Sequence, residues 1–133
     1  MPTAEEHGLV LKVHSCAICG TDTHRYFGTY GPRRYPTILG HEASGEVVEV
    51  GPHAASYEVG DRLTFWVSFG CFAEYVRIEP RNVAVGRLAN DMTWEQGANT
   101  QLLCACLRAV DCASIQDGER VLVLGCGPVG LLT

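Results

Sequence analysis

The sequence predicts a mainly β domain with helices, an irregular barrel-like sheet that runs at its end into the first strand and glycine turn of an α/β unit. Three observations predict it. Short runs of β-branched and aromatic residues, separated by Gly and Pro turn signals, fill residues 9 to 78. Apolar residues then recur at helical spacing over about residues 93 to 110. Finally RVLVL, Arg120 to Leu124, leads straight into GCGPVG.

Taken in order, LVLKV from Leu9 to Val13 alternates apolar and polar residues. Gly45 to Val50 (GEVVEV) and Arg62 to Val67 (RLTFWV) carry the residue types that fit a pleated surface. Gly51-Pro52 closes one strand, Gly60-Asp61 opens the next, and Gly70 precedes a strand from Phe72 to Ile78. Short strands joined in this way build small irregular β-domains. At Thr93-Trp94-Glu95-Gln96 the pattern becomes a capping box, and Ala98, Leu102, Cys106 and Val110, with Leu103 and Leu107, give the following helix a wide apolar face.

Gln116-Asp117-Gly118-Glu119 reads as a turn and RVLVL as a buried strand of the parallel type. In G-x-G-x-x-G, Gly125 permits the tight turn, Gly127 lets the backbone approach a pyrophosphate, and Gly130 lets a helix pack on the strand. The predicted organisation is residues 1–115 as one unit, including the helix, and 116–133 as the start of a dinucleotide-binding unit. The acidic residue that holds a ribose, about 20 residues past the glycines, falls outside this sequence.

A net charge of -5 with interspersed signs gives no basic stripe for phosphates, so nucleic acid is not an expected partner. LTFWVSFGCFAEYV, Leu63 to Val76, is too short and too polar in places to span a bilayer, and Met1 is not followed by a leader pattern. The expectation is a soluble cytoplasmic protein with no membrane partner. Seven cysteines without regular spacing do not make a secreted disulfide framework; most are expected in the core and one or two as ligands. Cys16-x-x-Cys19 lacks the second C-x-x-C or the thioredoxin-like context that a ribbon or redox pair needs.

Two clusters can carry chemistry, CAICGTDTH from Cys16 to His24 and Gly40-His41-Glu42. Together they offer a thiolate, an imidazole and a carboxylate, the donor types that catalytic zinc uses while keeping a position open. C-G-T-D-x-H followed by G-H-E closely resembles the zinc site of the medium-chain dehydrogenase/reductase family. The resemblance continues through GEVV (Gly45 to Val48), VGDR (Val59 to Arg62), AEYV (Ala73 to Val76) and VLVLGCGPVG (Val121 to Gly130), in the family's order. Non-zinc quinone-reductase relatives lack both clusters.

The resemblance implies a GroES-like catalytic domain and, residue by residue, roles in zinc-dependent alcohol oxidation. Cys19 and His41 match the thiolate and imidazole ligands, and Glu42 a carboxylate that ligates zinc or stands just behind it. Asp22 matches the carboxylate that orients the ligand histidine. Thr21 matches the hydroxyl that meets the substrate alcohol, and His24 the imidazole that exchanges the proton with solvent. The cofactors implied are one catalytic zinc and, in a full-length enzyme, NAD or NADP on the turn of Gly125, Gly127 and Gly130.

Departures from the family shape further expectations. Where relatives carry four close cysteines for a structural zinc, only LTFWVSFG leads to Cys71, so no structural zinc is expected. The family's third-ligand position aligns with Gln101, beside Thr100, a weak donor to zinc. Glu42, Gln101 and Cys104 all stand as candidates for that place. With MPTAEEH before Gly8 and three residues after Gly130, the chain reads as the catalytic-domain portion of a zinc alcohol or polyol dehydrogenase, expected to be inactive alone and to self-associate or form homo-oligomers. The alternative is a non-catalytic GroES-like module that binds metal or a partner.

Overall fold

A computed structural model describes residues 1–31 and 35–133. Strands β1 (Leu9–Ala17), β2 (Glu42–Val50), β3 (Arg62–Trp66), β4 (Tyr75–Ile78) and β5 (Ala84–Arg87) form one antiparallel sheet in the order β4-β1-β2-β3-β5. Helix α1 (Gly20–Phe27) follows β1, and α2 (Trp94–Ala98), α3 (Thr100–Ala113) and α4 (Pro128–Leu132) follow the sheet. The four strands predicted between residues 9 and 78 are present but with shifted bounds: β1 and β2 each run longer, toward the clusters, and β4 begins only at Tyr75. Among the described residues no helix is long and apolar enough to cross a membrane.

Alternation decides which face of the sheet is core. Leu9 and Leu11 of β1, Ala43 and Val47 of β2, Leu63 and Phe65 of β3, and Val76 and Ile78 of β4 point into one cluster, closed by Val67 and Cys71. Register shifts in the β1–β2 pairing at Val10/Leu11 and Val13/Ser15 mark irregularities of the bulge type, which bend a strand and increase its twist. The last part of β1 and the first part of β2, Ala17 opposite Glu42, are thereby carried to one end of the sheet.

The opposite face is covered by α2. Ser44 Oγ donates to the Trp94 carbonyl at 2.5 Å and Thr64 Oγ1 to the Gly97 carbonyl at 2.7 Å. The Trp94 ring lies between His14, stacked at 4.3 Å, and the Arg62 guanidinium at 4.4 Å. Arg62 also donates to the carbonyls of Ala89, Asn90 and Met92, fixing the loop that leads to the helix.

Two expectations change here. The single helix over about 93 to 110 is two helices, broken at Asn99 (φ -88, ψ -4), although Thr93 and Gln96 do form the capping box. Arg120 to Leu124 is not paired in a sheet: a parallel strand needs neighbours, and none of the described residues supplies one. Its side chains are therefore exposed instead of buried.

Candidate metal centre

Helix α1 begins where β1 ends, with Cys19 as its N-cap and Asp22 in the first turn. Asp22 Oδ2 accepts from the Cys19 amide at 3.1 Å, satisfying a donor at the helix start. Its other oxygen, Oδ1, accepts from the Gly40 amide at 2.9 Å and lies 3.1 Å from His41 Nδ1. One buried carboxylate thus joins the start of α1 to the approach of β2.

The Gly40-His41 backbone is also held from the other side. The amides of Val67, Cys71 and Phe72 donate to the carbonyls of His41, Gly40 and Leu39. Gly40 has φ +83, and a Cβ there would sit 2.7 Å from the Phe72 amide nitrogen. Only glycine fits this turn without strain.

The result is a convergence of three donors: one ligand atom each from Cys19, His41 and Glu42, all within 4.8 Å of one another. Cys19 is partly exposed, whereas His41 and Glu42 are each only 5% exposed. Because Asp22 has no proton to give when ionised, its contact places the imidazole proton on Nδ1 and leaves the Nε2 lone pair free. That Nε2 faces Glu42 Oε1 at 3.5 Å. A lone pair opposed to a carboxylate is repulsive unless a proton or a metal cation lies between them, and with a Cys19 sulfur converging on the same point the donor set fits a metal ion. Bonds of about 2.0–2.3 Å from sulfur, nitrogen and oxygen to a shared zinc are compatible with this spacing.

The other predicted residues are placed as follows. Thr21 and His24 lie on α1, but His24 Nδ1 is 2.8 Å from Thr29 Oγ1 and its ring meets Tyr30 edge-on. No hydrogen bond joins Thr21 to His24 among the described residues. Gln101 and Cys104 line an apolar cavity of about 460 Å³ between α3 and the β3–β5 edge, with Phe65, Trp66 and Val85, and Cys104 is outside the donor group. In the glycine turn, Gly125 has φ +109 and a Cβ on Gly130 would lie 1.9 Å from the Gly125 carbonyl oxygen, so the helix packs as closely as the motif requires.

Sequence reasoning set Cys16 beside Cys19 and did not anticipate the influence of Cys71 on it. The Cys71 hydrogen bond holds the Cys16 thiol below its ordinary range against the effect of burial; the same bond and burial push Cys71 up. Nothing in the spacing of the two residues signals this influence, since it depends on the path of the loop before β4.

The alcohol dehydrogenase GroES-like domain model matches residues 5–87, and the chain belongs to that family. It is 32% identical to (R,R)-butanediol dehydrogenase of Bacillus subtilis over 98% of this chain and 47% of that protein. It is likewise 32% identical to a sorbitol dehydrogenase of Halalkalibacterium halodurans over 98% of this chain and 46% of that one. The chain therefore spans about half the length of these curated relatives. Among solved structures, the 2R,3R-butanediol dehydrogenase of Bacillus subtilis superposes with a TM-score of 0.85 at 31% identity, over 99% of this chain and 48% of that chain. A chain described as a zinc-binding dehydrogenase of Sinorhizobium meliloti 1021, bound to NADP, superposes with a TM-score of 0.86 at 30% identity, over 99% and 45% respectively.

Proposed function

We propose that this chain is the catalytic-domain portion of an oxidoreductase that moves a hydride between an alcohol or polyol and NAD(P), with one zinc held by Cys19, His41 and Glu42. The observation that carries it is the approach of those three donors to within 4.8 Å, with Asp22 turning the His41 Nε2 lone pair toward the other two. Glu42 is preferred over Gln101 and Cys104 as third ligand because it faces His41 directly, while the other two line a separate cavity.

Zinc bound there supplies Lewis-acid polarisation of an alcohol oxygen, making its proton easier to lose near neutral pH. The chain's own residues handle that proton. Thr21, two residues from Cys19 on the first turn of α1, accepts it on Oγ1 and passes its own hydroxyl proton on. The exposed His24, with Nδ1 engaged by Thr29, exchanges protons with water through Nε2. Asp22 keeps the His41 tautomer fixed throughout. Gly125, Gly127 and Gly130 offer the backbone turn on which a dinucleotide pyrophosphate rests. The relatives' names, an alcohol and a polyol dehydrogenase, support this substrate class.

The test is metal analysis of the purified chain. One zinc per chain is expected, falling to near zero in Cys19→Ser, and the wild-type residues joined to a complete cofactor domain are expected to oxidise alcohols with NAD(P). A wild-type chain that takes up no zinc from a zinc-buffered solution would overturn the proposal.

A further inference from the structure

The segment 67–72, between β3 and β4, backs the run that carries His41. Its Val67, Cys71 and Phe72 amides donate to the carbonyls of His41, Gly40 and Leu39 at 3.1, 3.0 and 2.9 Å. Val67 and Cys71 belong to the core, so the segment is fixed from below at both of these residues. Between them, Arg25 of α1 holds Ser68 and Phe69. Its Nη1 donates to the Ser68 carbonyl, and its guanidinium lies over the Phe69 ring, 4.9 Å from the centroid. Arg25 stands three residues past Asp22, so the two share one face of α1, the helix that Cys19 caps.

We propose that Arg25 is a positioning residue for the metal centre, fixing α1, and with it Cys19, against the segment that holds the His41 backbone. The inference rests on the reading of Cys19, His41 and Glu42 as zinc ligands. Asp22 grips the inner run through the Gly40 amide and His41 Nδ1. By itself that carboxylate fixes a point on the helix. A second attachment one turn further along the same face fixes the helix direction as well. The Cys19 sulfur and the His41 ring are then held in register before any ion arrives, and less ordering is left for binding to impose. Arginine suits the place because its planar group donates in its own plane while stacking on a ring, which an ammonium group does not do.

The test is loading of the full 133-residue chain with cobalt(II), whose d–d absorption bands report ligand geometry, together with chelator competition for zinc. In Arg25→Ala the bands are expected to shift and zinc binding to weaken by about 5-fold, less than for a direct partner of a ligand histidine. Arg25→Lys keeps a donor for the Ser68 carbonyl without the stacked plane, and is expected to fall between the two. The control is Arg77→Ala, which removes a surface contact with Glu5 on β4 and is expected to match the unmodified chain in both measurements. Bands and affinity unchanged in Arg25→Ala would overturn the role of Arg25 and leave the zinc reading standing, as would an equal shift in Arg77→Ala. An unmodified chain that takes up neither ion would overturn both. If Arg25→Ala does not fold, Phe69→Ala takes its place: a smaller shift in the same direction is expected, and an unchanged spectrum sinks the proposal.

Discussion

A single carboxylate organises the candidate centre. Asp22 accepts from the amides of Cys19 and Gly40 and contacts His41 Nδ1, so one buried side chain fixes two ligand-bearing segments and a tautomer. Replacing it with Asn puts an NH2 group where an acceptor is required. Asp22→Asn is therefore expected to weaken zinc binding by about 10–100-fold, the range for lost partners of ligand histidines. Chelator competition measures this, and an unchanged affinity would remove Asp22 from the role. Gly40→Ala tests the other support. At φ +83 with the Phe72 amide 2.7 Å from the added Cβ, the substitution is expected to cost at least about 1–3 kcal/mol in a denaturant titration and to weaken zinc binding as the His41 backbone shifts. At this scale Cys19, His41 and Glu42 were legible, because their donor chemistry and their resemblance to a known site singled them out. Gly40's left-handed turn and the influence of Cys71 on Cys16 were not, because each is imposed by a loop distant in sequence.

At the level of elements, legibility followed pattern strength. β1 was anticipated from its alternation and β2 and β3 from their β-branched and aromatic residues, but β2 begins earlier than its apolar run because Glu42, Ala43 and Ser44 pair with β1 and β3 whatever their side chains. β5 went unseen since AVGR is short and contains a glycine; it is a strand because β3 supplies a partner. α1, with sequence GTDTHRYF, has few strong helix formers. It went unpredicted, and Asp22, three positions past Cys19, serves its N-terminus. The join of β3 to β5 also carries a pH prediction. Burial acts to raise the Asp61 carboxyl, but the Glu58 amide at 2.8 Å and the Arg87 guanidinium outweigh it and hold it below the ordinary aspartate value. A depressed folded pKa stabilises the fold fully above the unfolded pKa of about 3.9, and that contribution is lost as pH falls through the folded value. Asp61→Asn should accordingly lower the urea midpoint near neutral pH yet show a shallower acid decline below about pH 4. Parallel acid limbs for the two proteins would count against it.

For the molecule as a whole, the contrast is between the well-buried sheet and the poorly covered segment that follows it. Leu9, Leu11, Val47 and Leu63 are completely buried, whereas Val121, Leu122, Val123 and Leu124 are 57%, 80%, 44% and 87% exposed. Leu107 on α3 and Leu131 on α4 add further exposed apolar surface. A strand-forming run with free N–H and C=O groups and no partner is a template for pairing with another chain, and exposed apolar patches reinforce such contacts. The 133-residue polypeptide in isolation is therefore expected to self-associate through this segment, with an apparent mass that rises with concentration in light scattering. The pair Leu122→Glu and Leu124→Lys should suppress that rise, because charges along the face that these two alternate positions share oppose stacking and pairing. The same pair should leave the zinc content at one per chain, since the donors come from the junction of β1 with α1 and from the start of β2, not from this segment. A constant monomer mass for the unmodified polypeptide across a wide concentration range would show that the exposed run is not adhesive. Loss of zinc in the double variant would show instead that this segment and the metal centre are coupled.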